Sequence, residues 1–537
     1  MKILDCTLRD GGYYNNWDFH PDLVRSYLES VASSGIDFVE LGLRNFSKEG
    51  FFGAFAYSNE HFLIRLNLPK GPKYGVMVDA KTIIQSEMSV SDAVNNLFVE
   101  RDVSQIDLVR VAAHFHEVED CEEIVFELKK KGYLVGLNLM QTGGKDTSIL
   151  AETAEIAQRW EGLDVLYFAD SLGNMDGKEV LRVINALRLH WTGELGIHTH
   201  NNMGKALDNC LVAKDAGVTW LDATITGMGR GAGNAETEKL LAVQARLSEK
   251  YSAASVYELA IRYFEPMQKV SGWGSNLLYF IGAQNEVHPT YIQNLLSDTH
   301  YGTDEIIGAI DYLGNLENSS SYNSKVYKAA LSFGNANNPI SGSLDLVDKA
   351  LGKQILIVAN GPNLNRYIDD IRDYIDDNKP IVIAINAIEV LEGRVDYYCI
   401  SRNSKFLSEG AKYSKLAASI ILPLHRFSKS ELSSFSDNAI FFDYGLEVIC
   451  DEFEAKSTEC KIPFDITAAY AFAAAKVMSG VNIKLVGFDG YEKGDERQLE
   501  MIELVSAIKN ASGLDNITAL TPTTYPIKQG SIYAPTR

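Results

Sequence analysis

The sequence has no cysteines at disulfide-framework or zinc-ribbon spacing. Its six cysteines (Cys6, Cys121, Cys210, Cys399, Cys450, Cys460) are scattered, with no CxxC. That excludes a disulfide scaffold and fits free thiols in a reducing compartment. No apolar run approaches the ~18 residues of a membrane span. The chain starts at once on a strand-like segment, so no signal peptide is expected. There is no excess of positive charge. The formal net charge of −21 argues against nucleic acid or an anionic membrane as partner, since both require a basic face. It does not exclude small anionic substrates, which a metal and local arginines can hold. No repeat or low-complexity segment is present. The expectation is a cytoplasmic protein without a membrane span or nucleic-acid partner.

With 537 residues, the chain exceeds what one core serves, and two to four domains are expected. Apolar runs at Ile3–Leu8, Phe38–Leu43, Tyr74–Asp79, Leu108–His114, Leu134–Met140, Val165–Ser171, Leu195–His200 and Trp220–Thr226 read as buried strands. Helical patterns such as Leu23–Ser33, Glu122–Lys131, Ile149–Trp160, Lys178–Leu189 and Lys205–Ala216 lie between them. Eight strands alternating with helices over ~245 residues predict an α/β fold, a (β/α)8 TIM barrel, with an open doubly wound sheet as the alternative. Polar residues gather at the strand C-termini, where a barrel carries its active site: Arg9, Asp10, Glu40, Asp79, His114, Asn138, Asp170, Ser171, His198, His200, Thr224 and Thr226. The expected domains are a barrel at 1–249, a helical extension at 250–333, a linker at 334–353 and a Rossmann-like α/β domain at 354–537.

Three segments carry the chemistry: LDCTLRDGG (Leu4–Gly12), GIHTHNN (Gly196–Asn202) and GMGRGAGNAETE (Gly227–Glu238). His198 and His200 are two apart on an apolar run. As strand residues they project to the same face. Alone, HTH reads more readily as a strand with two buried or surface histidines than as a metal site. With Asp10 offering an anionic oxygen and Asn234 a neutral one, the set suits an octahedral divalent ion with positions left for substrate. Mn or Mg is favoured by the oxygen count, with Co or Zn as alternatives.

Together these motifs resemble the DRE-TIM metallolyase superfamily, which includes 3-hydroxy-3-methylglutaryl-CoA lyase, isopropylmalate synthase and 4-hydroxy-2-oxovalerate aldolase. The resemblance covers residues 1–245. It implies Asp10, His198 and His200 as metal ligands, with Asn234 the fourth, and matches Arg9, Asp10 and Glu40 to the family's eponymous residues. VRVAAHFHEVED (Val109–Asp120) and ADSLGNM (Ala169–Met175) look like the aldolase branch. The implied activity is formation or cleavage of a 2-oxo acid through a pyruvate enolate, with an aldehyde as second partner. Arg9, Ser171 and Asn138 are the candidate substrate contacts. The aldolases carry a histidine three residues after the metal aspartate, where this chain has Tyr13. An ordinary tyrosine titrates near ~10 and is a poor base. Tyr13, His20 and His114 are the candidates for proton transfer. The rival readings are a Claisen-type acyl-CoA synthase of the same superfamily and a non-catalytic scaffold.

The second alternating pattern begins at Gln354, with strands at Ile355–Ala359, Ile381–Ile385, Tyr397–Ile400, Ser419–Leu422, Ala439–Phe442, Ile483–Gly487 and Ile517–Leu520, and helices at Leu364–Asp376, Ile466–Met478 and Leu499–Ala511. ILIVANGPNLNRYIDDI has the strand, glycine turn and helix of a phosphate- or nucleotide-binding start, without GxGxxG. ANGPNL, Asn386, DITAAYAFAAAKVMSG and LVGFDGY resemble bacterial CMP-sialic-acid-dependent sialyltransferases. In that likeness Asn360, Gly361, Pro362 and Asn386 would contact a nucleotide or nucleotide-sugar, and Asp489 would lie near the site. Those transferases use a late histidine as base. The one histidine after residue 300, His425, comes too early. Scaffolding and glycosyl transfer by this domain both stay open. The pairing of domains points to surface-polysaccharide precursor synthesis by a homo-oligomer.

Overall fold

Eight short aliphatic runs close into a parallel barrel in chain order: β1 (Lys2–Asp5), β2 (Phe38–Leu43), β3 (Lys73–Asp79), β4 (Leu108–Ala113), β5 (Leu134–Leu139), β6 (Val165–Asp170), β7 (Glu194–Thr199) and β8 (Trp220–Ala223). β8 pairs with β1, from Lys2 opposite Trp220 to Asp5 opposite Ala223. Every residue of β2, β4 and β6 is buried. They are covered by helices outside and packed side chains within, which is why these runs are apolar without alternation. The computed structural model describes residues 1–298, 303–316, 319–323, 326–327, 330, 341–342, 346–402, 412–413, 419–427, 432–433, 435–449, 452–480, 482–491, 495–510 and 516–534. Of the expected linker at 334–353, residues 334–340 and 343–345 lie outside the described residues, as does Cys450, while Leu346 and Ala350 are buried in a core of the second unit rather than in a free linker. The five described cysteines are buried and free. Among the described residues, no helix is long and apolar enough to cross a membrane.

The chain divides into two units, Met1–Asn294 with Leu316–Tyr322, and Leu295–Asn315 with Asn323–Arg537. The helices Ala254–Leu259, Glu265–Ser271 and Leu277–Gln284 thus belong with the barrel, and Thr303–Gly314 with the second unit.

Four barrel strands (β4 to β7) end one residue before the sequence pattern indicates, and β1 and β8 end well before it. β1 stops at Asp5, and Thr7–Asp10 forms a helical turn. Asp5 Oδ1 accepts from Thr7 N at 2.9 Å, a local turn that ends the strand. β8 stops at Ala223, and Thr226 takes a left-handed φ of 52°. Arg9, Asp10 and Asn234 therefore come from turns above the barrel rather than from strands.

In the second unit, β9 (Gln354–Val358), β10 (Ile381–Ile385), β11 (Tyr397–Cys399), β12 (Ser419–Leu422) and β13 (Ile440–Asp443) run outward from β9. β17 (Asn482–Val486), β18 (Ile517–Ala519) and β19 (Lys528–Gln529) continue on its other side. All are parallel. Alternate residues of β9 enter different cores, Ile355 and Ile357 on one face and Leu356 and Val358 on the other. Helix Thr467–Val477 covers the first face and Ile368–Asn378 the second. A small sheet of β14 (Gly445–Val448), β15 (Glu454–Ala455) and β16 (Glu459–Ile462), in the order β14-β16-β15, is an addition that the apolar pattern did not signal.

Candidate active site

Three distant segments converge above β1, β7 and β8. Asp10, His198 and His200 each offer a ligand atom, and these atoms lie within 4.8 Å of one another. His198 Nε2 stands 3.5 Å from Asp10 Oδ2. The loop after β8 brings Asn234 to them through a bridge pairing with His200, and the Asn234 amide contacts Asp10 Oδ2. That loop folds back tightly. Gly233 has φ +73°, and a Cβ there would stand 1.9 Å from the Gly227 carbonyl oxygen. Only glycine suits such a position.

Arg9 lies beside this group. Its Nη1 donates to Asp10 Oδ1 (2.7 Å) and its Nε to Glu40 Oε2 (2.8 Å), while the Trp17 indole holds the Arg9 carbonyl at 2.8 Å. Burial opposes the Asp10 charge, but Arg9, His198 and His200 outweigh it and hold the carboxyl well below its usual range. Burial likewise opposes the Glu40 charge, and Arg110 and Arg9 overcome it. For His200, burial wins outright, assisted by His198 and Arg230 against Asp10, so the ring stays neutral with a lone pair.

A divalent ion suits these residues. His200 Nδ1, Asn234 Oδ1 and Arg9 Nη2 are buried without a hydrogen-bond partner. Such atoms are costly to bury unless something binds them. A neutral imidazole, a second imidazole, an ionised carboxylate and an amide oxygen make a mixed N/O donor set. Cys6, His198 and Asp222 form a second grouping. There burial pushes the Cys6 thiol well up, and Asp222 is taken by Arg110 and His198, so it is the poorer site.

The other sequence candidates fall in different places. Asn138, at the end of β5, is buried, and its Oδ1 has no partner. Ser171 Oγ accepts from Gln141 N (2.9 Å) just past β6. Tyr13 keeps 42% of its surface exposed and packs on Trp17, with Arg230 Cζ 5.6 Å from its ring. Desolvation with Asp79 and Asp10 pushes its hydroxyl up against Arg230 and Arg9, the wrong direction for a base. His114 is half-buried and stacked on His116, and burial lowers its pKa, so it is neutral at pH 7. Its main-chain N–H donates to Glu117 Oε2 (2.8 Å). Burial and Glu117 push the Asp79 carboxyl up, against Lys48, His114 and Arg9. His20 corrects the reading. It is exposed and caps helix Pro21–Ser33, accepting from Asp22 N at 3.3 Å, so the structure does not bring it into this group.

Two buried charged residues, Arg110 and Asp222, were missed altogether, and Asp170 was read only as one of the polar residues at the strand C-termini. The signal was available, since each is a charged residue inside a strand whose every residue is buried. Burial pushes the Asp170 carboxyl up to about 7, against hydrogen bonds from the Met175, Asn174 and Gly173 N–H groups. An acid whose folded pKa is raised stabilises the fold fully below its unfolded value near ~4, and that contribution is lost as pH rises through the folded value. The metal-free protein is therefore expected to lose thermal stability between about pH 4 and 7 through this group. Asp170→Asn should flatten that slope and melt roughly 2–4 °C higher at pH 8. Thermal scans across pH check this, and an unchanged slope contradicts it.

In the second unit a cavity of about 820 Å3 opens at the C-terminal ends of β9, β10 and β17. Asn360, Gly361, Pro362, Asn386 and Asp489 all line it, with Arg402, Arg497, Tyr491 and Tyr525. β9 and β17 flank the point where the sheet order reverses. Asp489 Oδ2 accepts from Asn363 N (2.6 Å). Asp489 Oδ1 and Asn386 Oδ1 are buried without partners. His425 is not among the lining residues.

The model of the HMGL-like family matches residues 84–260. The 4-hydroxy-2-oxovalerate aldolase of Carboxydothermus hydrogenoformans is 31% identical over 254 residues, covering 46% of this chain and 71% of that protein. The chain belongs to the HMGL-like family. The oxaloacetate decarboxylase of Mycobacterium tuberculosis is 29% identical over 45% of this chain and 70% of its own length. A crystal structure of the N-terminal domain of a Bacteroides vulgatus protein assigned as an aldolase superposes with a TM-score of 0.51 at 29% identity. It covers 56% of this chain and 98% of that one. HMGL-like membership bears out the resemblance carried by the three barrel motifs, and the chain is an enzyme of the aldolase and lyase class.

Proposed function

We propose that the barrel is a divalent-metal-dependent aldolase that forms or cleaves a 2-oxo acid by way of a pyruvate enolate, with an aldehyde as the other partner. The grouping of Asp10, His198 and His200 beside the unpartnered Arg9 Nη2 carries this reading. Held by Asp10, His198, His200 and Asn234, a Mn or Mg ion would supply Lewis-acid polarisation of the 2-oxo group. Arg9, fixed by Glu40 and Asp10, places a permanent cation where negative charge develops on the enolate oxygen. The Ser171 hydroxyl and Asn138 amide orient the acid's carboxylate. In the cleavage direction, neutral His114 takes the alcohol proton as the C–C bond breaks and returns it to the enolate carbon to give the methyl group of pyruvate, while the neutral Tyr13 hydroxyl donates a hydrogen bond to the aldehyde oxygen.

Charge supports a monoanionic substrate. The linked, buried set holds three carboxylates (Asp10, Glu40, Asp222) against two guanidiniums (Arg9, Arg110). A divalent cation and one pyruvate bring that set to neutrality, whereas an unpaired buried charge is strongly disfavoured.

Metal-loaded protein given pyruvate and short-chain aldehydes is expected to form 4-hydroxy-2-oxo acids, followed by mass spectrometry and abolished by chelator. Product only from an acyl-CoA with a 2-oxo acid would instead establish the Claisen chemistry. Tyr13→Phe is expected to lower the aldol rate by about 10-fold while the pH profile between 7 and 9.5 keeps its shape. Loss of an alkaline limb in that variant would make Tyr13 the base.

The second unit is proposed to bind a nucleotide or nucleotide-sugar. The support is one cavity, at the reversal point of a parallel sheet, that gathers Asn360, Gly361, Pro362, Asn386 and Asp489. The free Asp489 Oδ1 suits a ribose hydroxyl, and Tyr491 or Tyr525 a base. Calorimetric titration with CMP should show saturable binding that Asp489→Ala weakens. No binding of CMP or a CMP-sugar by the wild type contradicts the proposal.

A further inference from the structure

A continuous line of charged side chains crosses the barrel interior and ends on two of the three grouped residues. Arg110, in β4, is fully buried. Its Nε and Nη2 fork onto Glu40 Oε1 and Oε2 at 2.7 Å each, and its Nη1 reaches Asp222 Oδ2 at 2.6 Å. At one end, Asp222 Oδ2 lies 2.9 Å from His198 Nδ1. At the other, Glu40 holds Arg9, which holds Asp10. The Arg110 guanidinium packs over Tyr167, 4.7 Å from the ring centroid. Gly196 makes room for that ring, since a Cβ there would stand 2.4 Å from Tyr167 Cε1.

Buried ion networks of this kind add little net stability over apolar packing of equal volume. Their value lies in fixing geometry. We propose that Arg110 and Asp222 are positioning residues of the metal centre: Arg110 locks both carboxylates, and Asp222 sets which nitrogen of His198 carries the proton. A carboxylate on Nδ1 favours the tautomer with hydrogen at Nδ1 and leaves the Nε2 lone pair on the Asp10 side. The Arg110 fork on Glu40 likewise keeps Arg9 aimed, so one side chain presets both the ligand and the cation. Lysine could not replace it, because a point charge reaches one carboxylate where the planar fork reaches two.

This inference rests on the reading that Asp10, His198 and His200 hold a divalent ion, and the test separates the two. Metal-stripped full-length protein is titrated with Mn2+, free Mn2+ being read by electron paramagnetic resonance. The visible spectrum of the Co2+ form reports ligand geometry. Asp222→Asn is expected to bind Mn2+ roughly 10- to 100-fold more weakly and to shift the Co2+ bands. Arg110→Lys should fall between that variant and the wild type. Thermal unfolding of the metal-free forms distinguishes a lost fold from a lost site. Folded variants with wild-type Mn2+ affinity and an unshifted Co2+ spectrum overturn the inference alone. A wild type that binds no divalent ion overturns the underlying reading with it. If neither variant folds, 15N-histidine NMR of the Zn2+-loaded wild type decides. The resonance lost in His198→Gln must show a proton on Nδ1, and a proton on Nε2 overturns the inference.

Discussion

Asp10→Ala is expected to abolish divalent-metal binding and to lower any enolate-forming rate by about a thousandfold or more, equivalent to roughly 4 kcal/mol of barrier. The size follows from how much one carboxylate holds. It is the anionic member of the grouped residues, it pairs with Arg9 Nη1, and it contacts the Asn234 amide. The fold should survive, because Arg9 keeps its second partner in Glu40. Asp10→Asn preserves shape and removes only charge, so it should lose metal affinity while melting close to the wild type. Metal titration beside circular dichroism checks both variants. Retained metal binding in Asp10→Ala contradicts the site.

Gly229→Ala is expected to be nearly as damaging, although it adds a single methyl group. A Cβ at 229 would stand 2.3 Å from Asn234 Nδ2 and 3.0 Å from Asp10 Oδ2. Neither neighbour is the free end of a long side chain, so the Asn234 amide must be displaced. Displacement of a positioned group by about 1 Å costs on the order of 100-fold in rate. Gly177→Ala is the control. Its Cβ meets only the Val212 methyls, the nearer at 3.4 Å, and it should behave as the wild type. Equal metal affinity and activity in the two variants would mean that Asn234 takes no part.

The metal motif was legible in the sequence because each part of it is local. His198 and His200 keep strand spacing, and LRDGG and GAGN are short turns with fixed neighbours. Arg110 and Asp222 were not read as site residues, because what gives them meaning lies far along the chain. Arg110 meets Glu40 and Asp222, 70 and 112 residues away. Only barrel closure brings them together. A charged residue in a fully buried strand was the available clue, and such a residue requires partners. His20 misled because a histidine near a metal motif reads as chemistry. His-Pro-Asp at a helix start, with proline in the first turn, is a capping pattern. Four of the five cavity residues of the second unit were legible from two glycine-containing turns, each following an apolar strand, and Asn386 from its place just after a third apolar strand. The small sheet of β14 to β16 was not, since strands of two to four residues are too short to show a periodicity.

The central claim is enolate formation at Asp10, His198 and His200. Its most direct test needs no knowledge of the aldehyde. Full-length protein loaded with Mn2+ or Mg2+ is incubated with pyruvate in heavy water, and loss of the methyl protons is followed by NMR after metal removal, beside Asp10→Ala. Exchange that requires the metal and disappears in the variant is the predicted result. No exchange by wild-type protein that demonstrably binds both the metal and pyruvate would contradict it.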